Sequence, residues 1–419
     1  MGMGDSLGEG VQSANAFTQS QPSTYLNLVA RQMNVSFPQP LLTTSLTAFI
    51  GDVKGRSRVS PSTAPADLAV SGATLSDVLT ATASSTPATE TDLVLAPYLG
   101  LSQIQIVEQQ KPAFVICWAG TDDLIDEVLN YSSLNNPNPT PLPQFTAEYG
   151  ELLSRLKATG AKVVVGNIPD LTKMAFLFDN NDLTKYTGTN YNLPAGSFTT
   201  LPTMLLLKLG VFDASILQNP AYVLSASQIT ALQLQIQQYN GVIASTAASY
   251  GFPVVDAYAL LDYYANTPMV VGGVALSNHY NGGYFSLDGV HPSNFGHAAF
   301  ANVFIKTADA AYGMHIPPIP NSALVTLFNN DPFIDFGGNG VVHGRPFTGF
   351  LETLGPFLGI SGGPTHGAAA GRMAPAPKKL DPAEFMRLYR AAKGANPSAP
   401  WTKADVASAV SDLLGLKNR

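Results

Sequence analysis

The feature that most constrains the fold is an unbroken apolar run in the first third of the chain, Ala113–Ala119, bounded by Pro112 and Gly120. A short run with no polar face is typical of a strand that is buried on both sides of a parallel sheet. An amphipathic helical pattern over Phe145–Thr159 follows it, and then a second buried strand over Lys162–Gly166. Strand, helix and strand in this order predict a doubly wound α/β fold.

Further segments continue the alternation on both sides of this unit. A short strand is predicted to start at Asp67 and to run into Gly72, after which a new helix begins. A serine before a helical pattern is a good N-cap, so the helix that ends near Tyr250 should begin at Ser225 or Ser227. The remaining predicted elements are helices over 23–33 and 294–311 and a short strand over 252–256.

Composition excludes several classes of protein. Hydrophobic residues make up 45% of the 419 residues and charged residues only 12%, which is typical of a chain with a sizeable core rather than of a disordered one. Lys and Arg number 22 against 29 Asp and Glu, with no basic run, so we expect no nucleic-acid partner. No apolar run approaches the length that spans a bilayer. The single cysteine, Cys117, lies inside the apolar run and is expected to be a buried structural thiol.

The texture of the sequence predicts three regions. Residues 1–330 should form the catalytic domain, interrupted by an insertion over 171–227. The leucine-rich part of this insertion is either packed core or a lid and acyl-binding wall over the site. Residues 331–379 are rich in Gly, Pro and Ala and are expected to be a linker, and 380–419 a short helical extension with two start signals. The leucine-rich residues are Leu201, Met204, Leu205, Leu206 and Leu207.

The first residues suggest that the native N-terminus has been trimmed. Met1-Gly2-Met3 is too short for the apolar strand expected before the first functional turn, and no signal peptide precedes it. Low charge and loops rich in Asn, Ser and Thr favour an exported protein, secreted or periplasmic.

Two local groups carry candidate chemistry. Gly4-Asp5-Ser6-Leu7 can present a serine hydroxyl at a strand-to-helix turn, and Asp288 and His291 lie three residues apart on one loop. A serine hydroxyl becomes a good nucleophile when an imidazole takes its proton and an acceptor holds the other ring nitrogen. Taken alone, the first group is ordinary turn chemistry and the second a helix cap beside a surface histidine.

The order of four turns along the chain favours the catalytic interpretation over these ordinary roles. Gly4-Asp5-Ser6-Leu7, Gly72, Gly120-Thr121-Asp122-Asp123 and the Asp288–His291 pair follow the order of the four sequence blocks of the GDSL, or SGNH, hydrolases, and the chain resembles this family from its start to about residue 315. The resemblance implies a flavodoxin-like three-layer α/β/α sandwich with a central parallel sheet. It also implies that Ser6 is the nucleophile, His291 the general base and Asp288 the residue that orients His291.

The oxyanion hole implied by the resemblance comprises the backbone N–H groups of Ser6 and Gly72 and the side chain at position 122. The family carries asparagine there, whereas this chain has Asp122. An ionised carboxylate only accepts hydrogen bonds and repels a developing negative charge. Asp122 is therefore protonated in place, or the hole works with backbone donors, or turnover is slow.

The leading hypothesis is a serine esterase or lipase that hydrolyses carboxylic esters with short to medium acyl chains through an acyl-enzyme on Ser6. The alternatives are a weakly active or inactive scaffold that binds a glycan or lipid surface, and a polysaccharide deacetylase. A Gly-x-Ser-x-Gly reading of residues 4–8 as the elbow of another hydrolase fold is disfavoured, because that fold needs several strands before its nucleophile. No cofactor is expected, and no metal site, because the other histidines show no ligand spacing.

Overall fold

A computed structural model describes residues 1–13, 15–43, 56–129, 139–208 and 212–334. The strands are β1 (Gly2–Gly4), β2 (Val11–Gln12), β3 (Asn15–Ala16), β4 (Phe114–Trp118), β5 (Lys162–Gly166), β6 (Leu177–Phe178), β7 (Thr199–Thr200), β8 (Val254–Val255), β9 (Met269–Val271) and β10 (Val274–Leu276). The helices are α1 (Ser6–Glu9), α2 (Tyr25–Gln32), α3 (Leu75–Thr80), α4 (Glu90–Val94), α5 (Gln103–Gln110), α6 (Asp126–Leu129), α7 (Leu142–Ala158), α8 (Asn180–Thr187), α9 (Leu201–Lys208), α10 (Ala226–Tyr250), α11 (Ala257–Asn266), α12 (Asn294–Tyr312) and α13 (Asn321–Asn329).

The central sheet is parallel and has the order β1-β4-β5-β8. Residues 66–70 extend it beyond β1, because the N–H groups of Leu68 and Val70 donate to the carbonyls of Gly2 and Gly4 at 2.9 and 3.1 Å. Across the sheet, the order is therefore residues 66–70, β1, β4, β5 and β8. When these five segments are numbered by their position in the chain, the order is 2-1-3-4-5, as in flavodoxin-like doubly wound sheets. In such sheets, functional groups collect at the carboxyl ends of the strands.

Helices cover both faces of this sheet, as the side chains of β4 show. Ile116 and Trp118 pack with Tyr25, Phe300 and Phe304 in a core formed with α2 and α12. The alternate residues Val115 and Cys117 belong to a second core on the other face, where α3, α5, α7 and α10 pack against one another. This period of two with both faces buried is the reason for the continuous apolar run, and it confirms the α/β/α layering.

Local signals account for several element boundaries. The Ser225 side chain accepts from the Gln228 N–H and the Gln228 side chain reaches back to the Ser225 N–H, so Ser225 is the N-cap of α10. Gly251, with φ of +71°, ends the same helix. The segment predicted as a strand from Asp67 pairs with β1 over residues 66–70, with one parallel bridge between Gly2 and Asp67, before the chain turns toward α3.

The expectation that the first residues are too short for a strand is wrong. Gly2–Gly4 forms β1 because it is paired on both sides, with β4 in the register Met3↔Cys117 and with residues 66–70. Three residues between two partners make as many ladder contacts as a longer edge strand. Export and trimming of the N-terminus stay predictions.

The expected domain boundary at residue 330 also needs correction. Asp331, Phe333 and Ile334 are at most 1% exposed, and Phe333 stacks on Phe17 with ring centroids 5.4 Å apart. These residues are part of the main core, so the folded unit extends at least to residue 334. The rest of the predicted linker (335–379) and the helical extension (380–419) lie outside the described residues. Within the described ranges, no helix is long and apolar enough to cross a membrane.

Candidate active site

Ser6 lies where β1 passes into α1 at the carboxyl edge of the sheet. Asp5 is the N-cap of α1, with its Oδ1 accepting from the Leu7 N–H at 3.1 Å, and Ser6 is the first helical residue. Gly4 has φ of +142°, and a Cβ there would be 1.9 Å from the Trp118 carbonyl oxygen. Glycine is therefore required for β1 to approach β4 so closely just before the serine.

A side chain that sequence reasoning missed holds this strand end. The Gln103 amide accepts from the Gly4 N–H and donates to the Gly4 carbonyl oxygen, both at 2.9 Å. The buried amide thus bonds Gly4 as a neighbouring strand would, which satisfies both backbone groups. No local sequence signal indicates this contact, because the two residues are 99 positions apart.

Asp288 and His291 face each other across one tight turn. Asp288 Oδ1 accepts from the backbone N–H groups of Val290 and His291 at 2.8 and 2.9 Å, and its Oδ2 lies 2.7 Å from His291 Nδ1. Burial tends to raise the pKa of Asp288, but His291 and these N–H donors outweigh it and hold the pKa below its ordinary value. Asp288 is therefore an ionised acceptor that fixes the imidazole.

The structure brings this pair to Ser6. His291 Nε2 lies 2.9 Å from Ser6 Oγ, although the residues are 285 positions apart. With the Nδ1 proton directed at Asp288, Nε2 is the unprotonated nitrogen that accepts the serine hydroxyl. Ser6 is 7% exposed and the His291 side chain 13%, so the contact is partly shielded from water yet reachable.

The predicted oxyanion donors lie on two separate turns. Gly72 is exposed, has φ of +79° and would meet nothing within 4 Å if it carried a Cβ. In the part of the chain that the structure describes, neither the Ser6 nor the Gly72 N–H donates to a protein acceptor. Asp122 is half-buried in the turn after β4, where Thr121 rather than Asp122 lines the cleft beside Ser6.

The neighbouring carboxylate, Asp123, accepts hydrogen bonds from two separate segments of the chain. Its Oδ2 accepts from the Leu75 N–H at 3.0 Å and its Oδ1 from the Thr140 hydroxyl at 2.6 Å. Burial raises the pKa of Asp123 to about 6, against these hydrogen bonds. Asp123 thus anchors the first turn of α3, at the end of the Gly72 turn, and not α6.

Ser6 and His291 open into a largely apolar cleft. Trp118 and Phe300 come from the sheet and α12, while Leu171 and Met174 come from the predicted insertion. The described leucine-rich side chains of α9 do not line this cleft, and they are packed in the main core instead. The remaining lining residues are Leu7, Thr121, Ile125, Pro169, Leu261, Tyr264, Tyr284, Phe285, Val290, Pro292 and Gly296.

Two buried titratable groups lie close behind the site. Burial lowers the pKa of His297 to about 3, so it is neutral, and it stacks on Tyr25 with centroids 6.3 Å apart. Burial raises the pKa of Asp5 to about 7, opposed by the Leu7 N–H and by His291. Among the described residues, no group of three metal-ligating side chains could hold an ion, and the absence of a metal stays a prediction.

Several solved structures are similar to this chain at low identity. An acetylxylan esterase from Geobacillus stearothermophilus is 14% identical, with a TM-score of 0.38, over 76% of this chain and 94% of its own. A lipase/acylhydrolase from Enterococcus faecalis is 14% identical, with a TM-score of 0.34, over 76% and 97%. An α/β hydrolase from the metagenome of Lake Arreo, Spain, is 14% identical, with a TM-score of 0.37, over 75% and 94%.

Among curated proteins, no sequence matches closely enough to count as a relative. The family match is extensive, since the GDSL-like lipase/acylhydrolase pattern covers residues 1–304, nearly three quarters of the chain. This range contains all four sequence blocks together with the sheet and the cleft. The chain belongs to the GDSL-like lipase/acylhydrolase family.

Proposed function

We propose that this carboxylic ester hydrolase acts through an acyl-enzyme formed on Ser6. One observation carries the proposal, the continuous chain of contacts from Ser6 Oγ to His291 Nε2 at 2.9 Å and from His291 Nδ1 to Asp288 Oδ2 at 2.7 Å. Family membership places the protein among esterases and lipases. The residue roles below are our inference from the contacts.

In the first step, Ser6 Oγ attacks the ester carbonyl carbon while His291 Nε2 takes the hydroxyl proton. The carbonyl oxygen becomes an oxyanion, and the imidazolium is stabilised by the ionised Asp288 beside it. As the carbon–oxygen bond to the alcohol breaks, His291 returns the proton to the leaving oxygen. The acyl group is then bonded to Ser6 and the alcohol departs.

In the second step, water takes the place of the alcohol. His291 accepts a proton from the water as its oxygen attacks the acyl carbon, and then protonates Ser6 Oγ as the acyl–serine bond breaks. The carboxylic acid leaves and Ser6 is restored. Both steps therefore use one base on one turn, which the Asp288 carboxylate holds in a fixed orientation.

Stabilisation of the oxyanion is assigned to the backbone N–H groups of Ser6 and Gly72. Both N–H groups lack a protein acceptor in the described chain, and Ser6 N–H belongs to the open first turn of a helix. Such donors act most strongly when they are already oriented before charge develops. A role for Asp122 in the same hole stays a prediction.

The cleft supports short to medium acyl chains as the preferred acids. Its walls are mainly Leu, Met and aromatic side chains, which remove apolar surface of an acyl chain from water, while Thr121, Tyr264 and Tyr284 contribute hydroxyl groups. We expect the acyl part of the ester to lie there.

Steady-state turnover of p-nitrophenyl acetate, butyrate, octanoate and palmitate, beside acetylated xylan, tests this proposal. We expect kcat/KM to be highest for butyrate or octanoate, and Ser6→Ala to lose at least about a thousandfold in kcat. Equal rates for Ser6→Ala and the unmodified enzyme would contradict the mechanism. Preference for acetylated xylan over every soluble ester would contradict the acyl assignment while leaving the mechanism intact.

A further inference from the structure

Glu9 is a fully buried acidic residue that the mechanism above does not use. It lies on α1, three residues after Ser6, and its side chain is 0% exposed. Its Oε2 accepts from the backbone N–H of Ser71 at 2.5 Å, across 62 positions of sequence. Helix α1, which begins with Ser6, is therefore hydrogen-bonded to Ser71, the residue that precedes Gly72.

A buried ion pair between Arg56 and Glu90 lies next to the Glu9 carboxyl group. Arg56 Nη1 lies 2.6 Å from Glu90 Oε2, with the two side chains 1% and 8% exposed, and Arg56 Nη2 donates to the Ala16 carbonyl oxygen. Burial, together with the neighbouring Glu90 carboxylate, raises the pKa of Glu9 well above its ordinary value. This shift favours the neutral form of Glu9 beside the Arg56–Glu90 pair, and the neutral form avoids an unpaired buried charge.

The turn that Glu9 reaches is packed at its two ends, where Val70 and Ala73 are buried in the main core, but not at Gly72. Gly72 is exposed and contacts nothing on its Cβ side, and the turn is closed by a hydrogen bond from Ala73 N–H to the Val70 carbonyl at 3.1 Å. The Glu9–Ser71 hydrogen bond connects this turn to α1. It fixes the Val70–Ser71 peptide relative to α1, and this peptide lies immediately before the one that carries the Gly72 N–H.

We infer that Glu9 is a positioning residue for the oxyanion-stabilising donors, acting as a hydrogen-bond acceptor that holds the Ser71–Gly72 turn against α1, the helix that begins with Ser6. This inference rests on the proposed function, because it needs Gly72 N–H to meet the oxyanion. Stabilisation of this kind depends on donors that are held in place beforehand, and displacement by about 1 Å can lower the rate on the order of a hundredfold.

Two substitutions at position 9 separate positioning from charge. Glu9→Ala removes the acceptor, and we expect kcat to fall by about tenfold to a hundredfold with KM changed less than about twofold, because the apolar cleft still binds the ester. Glu9→Gln keeps a neutral acceptor of the same length and should restore kcat to within about threefold of the unmodified enzyme. If Glu9→Ala does not fold, Glu9→Asp, which withdraws the acceptor by one methylene, replaces it with the same expectation.

Asp309→Ala is the matched control, because Asp309 Oδ1 also accepts one backbone N–H, that of Ile316 at 2.8 Å, at the far end of α12. It should lower the melting temperature without changing kcat. An unchanged kcat in Glu9→Ala or Glu9→Asp overturns the inference, as does an equal loss in Glu9→Gln or in the control. Ser6→Ala is measured alongside, since its full activity would refute the proposed function, whereas an inactive Ser6→Ala with a fully active Glu9→Ala refutes only this inference.

Discussion

At the scale of single residues, Asp122 is the least expected group near the site. It follows Thr121, which lines the cleft, and precedes Asp123, whose carboxylate accepts a hydrogen bond from the first residue of α3. In the family this position carries an asparagine donor, and a carboxylate of nearly the same shape offers acceptors only. The chemical difference is large, while the difference in volume is small.

Asp122→Asn should therefore raise turnover if this position faces the oxyanion. The amide adds a donor whose hydrogen bond strengthens as charge develops, so kcat should increase by about tenfold, equal to about 1.4 kcal/mol, with little change in KM. The measurement is kcat and KM on p-nitrophenyl butyrate across pH 5–9. If Asp122 is instead protonated and already donates, only the unmodified enzyme should lose activity as the pH rises. An unchanged rate and an unchanged pH profile would show that Asp122 does not act at the oxyanion.

The sequence predicts residues whose partners are close in the chain, or whose chemistry is shared by a family, better than it predicts residues held by distant contacts. Asp288 and His291 are three positions apart, so their contact could be predicted from a single turn. Gln103 and Glu9 were missed because their partners, Gly4 and Ser71, are 99 and 62 positions away. Polar residues of this kind have no periodicity that distinguishes them from surface residues.

At the scale of elements, the short strand β1 depends on its neighbours for stability. β4 pairs with it on one side, and residues 66–70 pair with it on the other. Asp67 lies on this outer segment at 0% exposed, with Oδ1 accepting from the Ala69 N–H at 3.2 Å. Burial raises the pKa of Asp67 to about 8, against hydrogen bonds from Ala69 and Gln39 and the nearby N-terminal amino group.

This shift predicts how stability changes with pH. The pKa of Asp67 is higher in the folded protein than in the unfolded chain. The contribution of Asp67 to the free energy of unfolding is therefore fully present below about pH 4 and is lost as the pH rises toward about 8. Asp67→Asn cannot ionise. We expect the variant to become more stable than the unmodified protein by about 2 kcal/mol or more at pH 8.5, and to show a much smaller difference at pH 5.

Urea unfolding of both proteins at the two pH values measures this difference. Asp262→Asn, at an exposed position on α11, is the control and should change stability equally little at both. A stability difference for Asp67→Asn that does not vary with pH would refute the role of Asp67.

Element prediction succeeded where the signal was local. The buried runs of β4 and β5 and the Ser225 cap of α10 follow from periodicity and capping chemistry. β1 was missed because its stability comes from pairing with segments more than 60 positions away, which no window of sequence contains. The role of the α9 leucines was left open between core and cleft wall, since both environments favour the same apolar residues.

At the scale of the whole molecule, the end of the folded unit reaches back to the candidate site. The Asp331 Oδ2 accepts from the Asn294 N–H at 2.6 Å, and the Phe333 carbonyl accepts from the Leu287 N–H at 3.0 Å. These two contacts flank the turn that carries Asp288 and His291. The catalytic loop is therefore held partly by residues beyond the predicted boundary at 330.

Two truncations test this arrangement. A chain that ends after Ile334 should fold and retain activity, whereas one that ends after Asn330 loses both backbone contacts and the Phe17–Phe333 stack. We expect the shorter form to lose at least about tenfold in kcat and to melt at a lower temperature. Melting curves and turnover of the full chain provide the reference. Equal activity of both truncated forms would show that residues 331–334 do not support the loop.

The central claim is that Ser6 is the nucleophile, and covalent labelling tests it most directly. Diethyl p-nitrophenyl phosphate should transfer its diethylphosphoryl group to Ser6 Oγ and release p-nitrophenolate, because the contact with His291 activates this hydroxyl. Peptide mass spectrometry should locate one label per chain on Ser6, in proportion to the activity lost, and none in Ser6→Ala. Complete loss of activity with Ser6 unlabelled, or the same labelling in Ser6→Ala, would contradict the account.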